Sequence, residues 1–458
     1  MDAKQFDAIV IGAGQAGPPL AGRLTAAGMT VAIIERSLVG GTCVNTGCTP
    51  TKTLVASAYV AHLARRAAEY GVCLAGPVSI DMAAVKARKD AVVRASRTGN
   101  EAWLDGMEGC TLLRGHARFA GRDTVRVGET LLSAGRIFIN VGGRALIPDM
   151  SGIGQVPVLT NTSLLELDAV PRHLVVVGGS YIGLEFAQVF RRFGADVTVI
   201  ERGPRLIGRE DPDVSAAMQD ILEAEGIEVR CGADCIRFAP RGADVAAEVS
   251  CASGPPEVVG SHVLLAVGRR PNTGDLGLEA AGVATDAHGF ITVDDELRTT
   301  NPRVWALGDC NGRGAFTHTA YNDFEIVAAN LLDGASRKVS ERIPCYALFT
   351  DPPLGRVGAT EAEARAKGHA VRVGIRPMTR VGRAREKGET KGFMKVVVDS
   401  HTDEILGASI LGVGGDEAIH GVLEAMNAGV TATRYTRAVA IHPTVAELTP
   451  TILGELRP

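Results

Sequence analysis

The 458-residue chain has no uninterrupted apolar stretch of about 18 residues, the length a membrane-spanning helix needs, so no segment is expected to cross a bilayer. A basic excess is also missing: 48 Lys and Arg face 52 Asp and Glu, a formal net charge of -4. With no surplus positive charge to hold a phosphate backbone, nucleic acid is not expected as a partner. Nor is the composition that of a disordered chain, since 46% of residues are hydrophobic and 22% charged, as in ordinary globular proteins. The first residues, Met1-Asp2-Ala3-Lys4-Gln5-Phe6, run directly into an apolar strand and leave no room for a signal peptide, so a cytoplasmic protein is expected. Nine cysteines, an odd number scattered along a long chain, do not resemble a structural disulfide framework. A pair at meaningful spacing then points to redox or metal chemistry.

Glycine is what the chain has in excess: 55 residues, well above the average share of about 7%. The excess falls in a repeated design. Asp7-Ala8-Ile9-Val10-Ile11 leads into Gly12-Ala13-Gly14-Gln15-Ala16-Gly17, then a helical stretch to Ala27, then Thr30-Val31-Ala32-Ile33-Ile34-Glu35. His173-Leu174-Val175-Val176-Val177 leads into Gly178-Gly179-Ser180-Tyr181-Ile182-Gly183, a helical stretch to Phe193, then Asp196-Val197-Thr198-Val199-Ile200-Glu201. Each acid lies 23 residues after the first glycine, and the two units are offset by 166 throughout. Strand, glycine turn, helix, strand and closing carboxylate are the parts of a dinucleotide site. The first glycine allows the tight turn, the second lets the backbone approach a pyrophosphate, and the third lets helix pack on strand. The helix N-terminus offers amides and a positive dipole end to phosphates, and Glu35 and Glu201 are expected to accept hydrogen bonds from a ribose. Ser180 replaces the second glycine in the second unit and leaves less clearance there. Pro18 and Pro19 fall in the first helical turn, where a missing amide costs little. Two such sites suggest two different cofactors, one held permanently and one exchanging.

Just after the first unit comes Gly40-Gly41-Thr42-Cys43-Val44-Asn45-Thr46-Gly47-Cys48-Thr49-Pro50-Thr51-Lys52. Pro50 suits a first helical position, which puts Cys48 at a helix N-terminus, where a thiolate is stabilised. In a regular helix, residues five apart lie about 8.6 Å apart at Cα, beyond the roughly 7 Å a disulfide tolerates. If Cys43 and Cys48 pair, the turn must be distorted, and Gly47 gives the backbone that freedom. The alternatives are two structural thiols or half of a zinc site, although no second cysteine pair or nearby histidine completes one.

This cysteine motif resembles the redox-active disulfide of the pyridine nucleotide-disulfide oxidoreductases, the flavoprotein family that includes glutathione reductase, dihydrolipoyl dehydrogenase and mercuric reductase. Further segments resemble the family in order: Ile139-Asn140-Val141-Gly142-Gly143, Ala266-Val267-Gly268-Arg269-Arg270-Pro271-Asn272, Val304-Trp305-Ala306-Leu307-Gly308-Asp309 and Ile441-His442-Pro443-Thr444-Val445-Ala446-Glu447. The resemblance implies an α/β fold with two Rossmann-like dinucleotide-binding domains and a C-terminal α+β dimerisation domain. Its segments are a first FAD-binding part at 1–150, an NAD(P)-binding domain at 151–270, a second FAD-binding or central part at 271–337 and an interface domain at 338–458.

By the same resemblance FAD occupies the first site and NAD(P)H the second, with the flavin between nicotinamide and a Cys43–Cys48 disulfide. Cys48 is implied to face the flavin and Cys43 to attack the acceptor. Lys52 and Glu185 correspond to an ion pair beside the flavin, and Tyr181 to a residue gating the nicotinamide pocket. His442, oriented by Glu447, is the implied acid-base group, supplied by the partner subunit of a homodimer. The motif positions Gly41, Thr42, Gly142, Asp309, Thr317, His318 and Ala320 join Gly12, Gly14, Gly17 and Glu35 as expected cofactor contacts, as do Gly178, Ile182, Gly183, Glu201 and Gly268. No resident metal is expected.

The implied activity is electron transfer from NAD(P)H through FAD and the cysteine pair to a disulfide or related small acceptor. Val44 and Thr46 bring the motif nearer to mercuric reductase than to typical dihydrolipoyl dehydrogenases. The final residues Thr451-Ile452-Leu453-Gly454-Glu455-Leu456-Arg457-Pro458, however, lack the cysteine pair by which mercuric reductase passes its metal inward, so mercury reduction is disfavoured. Glu201 followed by Arg202 and Arg205 gives a mixed nucleotide signal that leans to NADH. A non-catalytic redox sensor or complex-docking subunit is the reading from another class, and the intact set of Cys43, Cys48, Lys52, His442 and Glu447 argues against it. Cys231 and Cys235 follow a strand and read as ordinary thiols; Cys73, Cys110, Cys251, Cys310 and Cys345 are isolated. The mixed-sign run 380–387 reads as a solvated face.

Overall fold

In the computed structural model, residues 3–233, 236–250 and 254–457 are described, so Cys235 and Cys251 lie outside the described residues. The chain opens with β1 (Lys4–Ile11), α1 (Gly17–Ala26), β2 (Val31–Glu35), α2 (Gly41–Thr46), α3 (Cys48–Arg65) and α4 (Met82–Asp105). There follow β3 (Cys110–Arg114), β4 (Ala117–Phe119), β5 (Thr124–Val127), β6 (Thr130–Ile139), β7 (Gly143–Ala145) and α5 (Asn161–Leu164). The second glycine unit forms β8 (His173–Val177), α6 (Tyr181–Phe193) and β9 (Asp196–Ile200), continued by α7 (Pro212–Glu223) and β10 (Glu228–Arg230). Next are β11 (Ile236–Arg241), β12 (Asp244–Val249), β13 (Glu257–Gly260), β14 (His262–Leu265), β15 (Arg269–Pro271), α8 (Leu278–Ala281), β16 (Val304–Ala306) and α9 (Thr317–Leu332). The last part holds β17 (Cys345–Leu348), β18 (Leu354–Gly358), α10 (Glu361–Ala366), β19 (Val371–Pro377), α11 (Gly382–Glu386), β20 (Phe393–Asp399), β21 (Ile405–Leu411), α12 (Gly415–Asn427), α13 (Ala432–Tyr435) and α14 (Leu448–Leu453).

These elements gather into two compact units, one of residues 1–53, 84–146 and 268–342, the other of 54–83, 147–267 and 343–458. In the first unit, β3, β2, β1 and β6 run parallel in that order, β16 joins β6 in parallel, and β5 and β4 continue the sheet antiparallel. Ile11 pairs with both Ile34 and Ile139, and Ile139 with Ala306. One edge of the sheet therefore releases Gly12, Glu35, Asn140 and Leu307 together. β1 lies between β2 and β6, the point of reversal where open α/β sheets bind their ligands. The central strands are apolar on both faces, Ala8, Ile9 and Val10 having no exposure, as buried parallel strands require. β1 begins at Lys4, earlier than the apolar run, because Lys4 and Gln5 pair with Leu132 and Ser133 of a distant strand.

The second unit repeats the arrangement in a four-stranded parallel sheet ordered β10-β9-β8-β14, where Val177 pairs with Ile200 and Leu265. Beside it lie the antiparallel β11-β12-β13 and a five-stranded antiparallel sheet ordered β17-β18-β21-β20-β19. The inner face of that sheet packs Val357, Val396, Val398 and Ile410 against Ile419 and Val422 of α12 and Ile452 of α14. The fold is α/β, with two Rossmann-like sheets and a C-terminal α+β part. Among the described residues, no helix is long and apolar enough to cross a membrane. In the run 380–387, Arg383 and Arg385–Lys387 are exposed while Val381 and Ala384 are buried.

Candidate active site

Both glycine turns are built to one plan. Gly12 and Gly178 have φ of 109° and 115°, and a Cβ on either would lie 2.3 or 2.4 Å from a carbonyl oxygen of the next strand's end, Asn140 or Ala266. A Cβ on Gly17 or Gly183 would lie 2.3 or 2.1 Å from the carbonyl oxygen of Gly12 or Gly178, so only glycine lets each helix start this close to its turn. The middle position differs. Gly14 is met by Gly41, whose own Cβ would stand 2.9 Å from the Gly14 Cα, whereas Ser180 is the N-cap of α6.

The two carboxylates are held alike. Glu35 accepts the Ala13 N–H at 2.9 Å and the Ser37 N–H at 2.8 Å; Glu201 accepts the Gly179 and Gly203 N–H groups, both at 2.6 Å. Each oxygen has one such bond and keeps a lone pair for a ribose hydroxyl. These turns, with the buried Asn45 Oδ1 that has no hydrogen-bond partner beside the first of them, fit a bound dinucleotide.

The cysteine segment is tied to the first turn: the Gly40 N–H donates to the Ala13 carbonyl at 2.8 Å and Gln15 donates to the Gly40 carbonyl at 3.1 Å. α2 stops at Thr46, Gly47 turns with φ of -133° and ψ of -115°, and α3 starts at Cys48. The expected distortion is therefore a complete break, and Pro50 sits inside the first turn of α3 with Cys48 at the helix start. The break brings the two sulfurs into hydrogen-bond contact as thiols. That bond to Cys48, then burial, pushes the Cys43 thiol well above its ordinary range, while Thr317 and the charge of Lys52 act the other way. Cys48 Sγ lies 3.4 Å from Thr317 Oγ1, at the N-terminus of α9. His318 stacks on Phe316 with ring centroids 5.3 Å apart, and the buried Ala320 packs beneath Gly308.

Asp309 follows β16 and faces Arg269, whose Nε is 3.5 Å from Oδ2; burial pushes the Asp309 carboxyl up against the pull of that guanidinium. Arg269 also donates to the Gly143 carbonyl and, at 3.5 Å, to Thr42 Oγ1. Gly142 and Gly268 take left-handed φ of 61° and 126° where the chain leaves and rejoins the first unit. Asn140, Arg269 and Asn45 were not among the expected contacts. Each stands inside a motif already read for its glycines, cysteines or aspartate, and a polar side chain directly after an apolar strand was the available signal for Asn140. It donates through Nδ2 to the Gly12 carbonyl at 3.3 Å.

In the second unit, Tyr181 and Ile182 open α6 half-buried, and Glu185, 2% exposed, accepts the Phe349 N–H at 3.0 Å. His442 Nδ1 stands 3.0 and 3.2 Å from the two Glu447 oxygens. The histidine side chain is 80% exposed and the glutamate 15%. Lys52 belongs to the first unit and Glu185 to the second. Among the described residues, no three His, Cys, Asp or Glu side chains gather to hold a metal ion.

Two dinucleotide turns and a cysteine pair at a helix start define a nucleotide-linked redox protein. Comparison with known proteins gives its family: the model of the pyridine nucleotide-disulphide oxidoreductases matches residues 6–323, and that of the family's dimerisation domain matches 345–452. The chain belongs to this family and is an oxidoreductase that uses FAD and NAD(P)H. It is 35% identical to the probable pyridine nucleotide-disulfide oxidoreductase RclA of Escherichia coli over 452 residues, 97% of each chain. It is 34% identical to a mercuric reductase of Bacillus cereus over 96% of this chain and 70% of the relative. A dihydrolipoyl dehydrogenase of Thermus scotoductus is also 34% identical, over 97% of this chain and 96% of the relative. The solved structure of a Cu(II) complex of the HOCl-induced flavoprotein disulfide reductase RclA superposes with a TM-score of 0.89 at 34% identity, covering 99% of this chain and 100% of that one.

Proposed function

We propose that this enzyme passes electrons from NADH to a small disulfide or related acceptor through Cys43 and Cys48. The observation that carries the reading is the sulfur pair at the α2–α3 break, beside Lys52 and the N-terminus of α9. When bound, FAD supplies two-electron transfer between the nicotinamide and the sulfurs. Reduction of the disulfide by two electrons and one proton leaves Cys43 as the thiol and Cys48 as the thiolate. Loss of its proton to His442 makes Cys43 the nucleophile. It attacks one sulfur of the acceptor, a mixed disulfide forms, and the departing thiolate takes the proton back from His442. The Cys48 thiolate then attacks Cys43, the second sulfur departs as a thiolate that takes a proton from solvent, and the disulfide is restored. Glu447 orients His442 through its bond to Nδ1.

The dimerisation domain supports a homodimer, and in this reading each site takes His442 from the partner subunit. Asp309, Glu35 and the turn at Gly12, Gly14 and Gly17 hold FAD, with Gly41, Thr42, Gly142, Thr317, His318 and Ala320 around it. Gly178, Tyr181, Ile182, Gly183 and Glu201 hold the nicotinamide dinucleotide, and Gly268 leads the chain back. Glu201, held by two backbone N–H groups, favours an unphosphorylated ribose. The four segments 1–150, 151–270, 271–337 and 338–458 remain our domain division, in a cytoplasmic enzyme.

Metal-ion reduction is the second reading, favoured by the mercuric reductases among the relatives and by the Cu(II) complex of RclA. Turnover with NADH or NADPH against disulfides, quinones, Hg(II) and Cu(II) separates the readings, and disulfides with NADH are expected to be fastest. Reduction should also raise a long-wavelength charge-transfer band from Cys48, and persistence of that band in Cys48→Ser would refute the assignment.

A further inference from the structure

One face of α6 is buried yet polar. Glu185, Gln188 and Arg192, spaced three and four residues apart on one helical stripe, are 2, 4 and 5% exposed. All three reach the same short turn between β17 and β18. The Phe349 N–H donates to Glu185 at 3.0 Å; the Asp351 N–H donates to Gln188 Oε1 at 2.7 Å, and Gln188 Nε2 donates back to the Asp351 carbonyl at 2.8 Å. Arg192 pairs with the Asp351 carboxylate at 2.7 Å and grips Glu225 through two bonds of 2.8 and 2.7 Å. Gln188 also donates to Glu225 at 3.0 Å. Burying this many polar groups is costly unless each is paired, and replacing them with apolar side chains is often neutral for stability. What the pairing provides here is one fixed position of the turn along α6.

We infer that Gln188 and Arg192 are positioning residues for Glu185: they clamp the turn 349–351 onto α6, and the turn, through the Phe349 N–H, fixes the Glu185 carboxylate. The inference rests on the catalytic role beside the flavin that the family resemblance implies for Glu185. The Gln188 amide makes both backbone bonds to Asp351, carries no charge of its own, and otherwise reaches only Glu225, which Arg192 holds in the same seam. Its removal therefore isolates the clamp.

The test uses the FAD-loaded dimer of Gln188→Leu, Glu185→Gln and the double variant, with flavin reduction by NADH followed by rapid mixing. Gln188→Leu is expected to slow flavin reduction about fivefold or more, to leave the disulfide half-reaction within about twofold, and to add less than about twofold in the Glu185→Gln background. Amide hydrogen exchange at 349–351 should speed up at least about tenfold in Gln188→Leu, with or without bound FAD. Gln188→Glu, which keeps the acceptor for Asp351, should fall between wild type and Gln188→Leu in both measurements. Unchanged flavin reduction in Gln188→Leu, or full additivity with Glu185→Gln, overturns the clamp while leaving the role of Glu185 standing. If Glu185→Gln itself reduces the flavin at the wild-type rate, the role of Glu185 fails and the inference falls with it.

Discussion

A histidine that is 80% exposed yet bonded through Nδ1 to a carboxylate has a fixed tautomer and a bare Nε2 edge. Such a group is of little use to its own surroundings and well prepared for a reacting thiol brought against it. In the proposed mechanism it moves a proton between Cys43 and the departing sulfur. His442→Ala should slow the disulfide half-reaction about 100-fold or more, the usual worth of a placed acid-base group. Flavin reduction by NADH should be little changed. Glu447→Gln should cost less, because the amide oxygen still accepts a bond from Nδ1 and keeps the ring oriented. Rapid mixing resolves the two half-reactions, and equal slowing of both would instead indicate damage to the fold or the dimer.

The two strand-turn-helix units share more than a glycine pattern. Their first and third glycines meet equivalent carbonyl oxygens, so the steric demand repeats along with the sequence. Gly17→Ala and Gly183→Ala should therefore each force a helix off its turn, with different losses. The first should purify largely without FAD, whereas the second should stay yellow, be reduced by dithionite and respond poorly to NADH; absorbance spectra and titration with NADH distinguish them. These turns were legible in the sequence because their constraints lie within 24 residues, from Gly12 to Glu35. The start of β1, the Arg269–Asp309 contact and the seam along α6 were not, because each depends on partners brought in by pairing far along the chain; Gln188 and Asp351 are 163 residues apart. The seam has its own pH signature. Burial raises the Glu225 carboxyl, but the Arg192 bonds and charge outweigh it and hold the group below its usual range. A depressed folded value gives stability that is present above about pH 4.3, the unfolded value, and is lost as pH falls through the lower folded one. Glu225→Gln should lower the thermal midpoint at pH 7 and flatten the acid limb of stability against pH, as calorimetry across pH 3 to 7 would show.

At the scale of the whole molecule, the stretch leading to His442 is exposed in a way a free chain would not tolerate well. Val439 is 99% and Ile441 80% exposed, within a run of exposed residues that ends at Pro443. Apolar side chains so bare, next to a catalytic candidate and inside the matched dimerisation domain, fit a surface completed by a second copy. Symmetry then makes a quantitative demand. If Cys43 and His442 act across subunits, a C43S chain and an H442A chain are each inactive as homodimers. In a heterodimer of the two, the intact cysteine of one chain meets the intact histidine of the other at one of the two sites. Random pairing makes about half of the dimers mixed, so co-expression should restore about a quarter of the wild-type disulfide turnover per site. If both groups acted within one chain, no mixture could recover any activity. Steady-state assays on co-expressed, differently tagged chains, with the mixed dimer isolated by sequential affinity steps, decide between the two. The isolated heterodimer should reach about half of wild-type turnover, and a value at the level of either parent would place the two residues of each site in the same subunit.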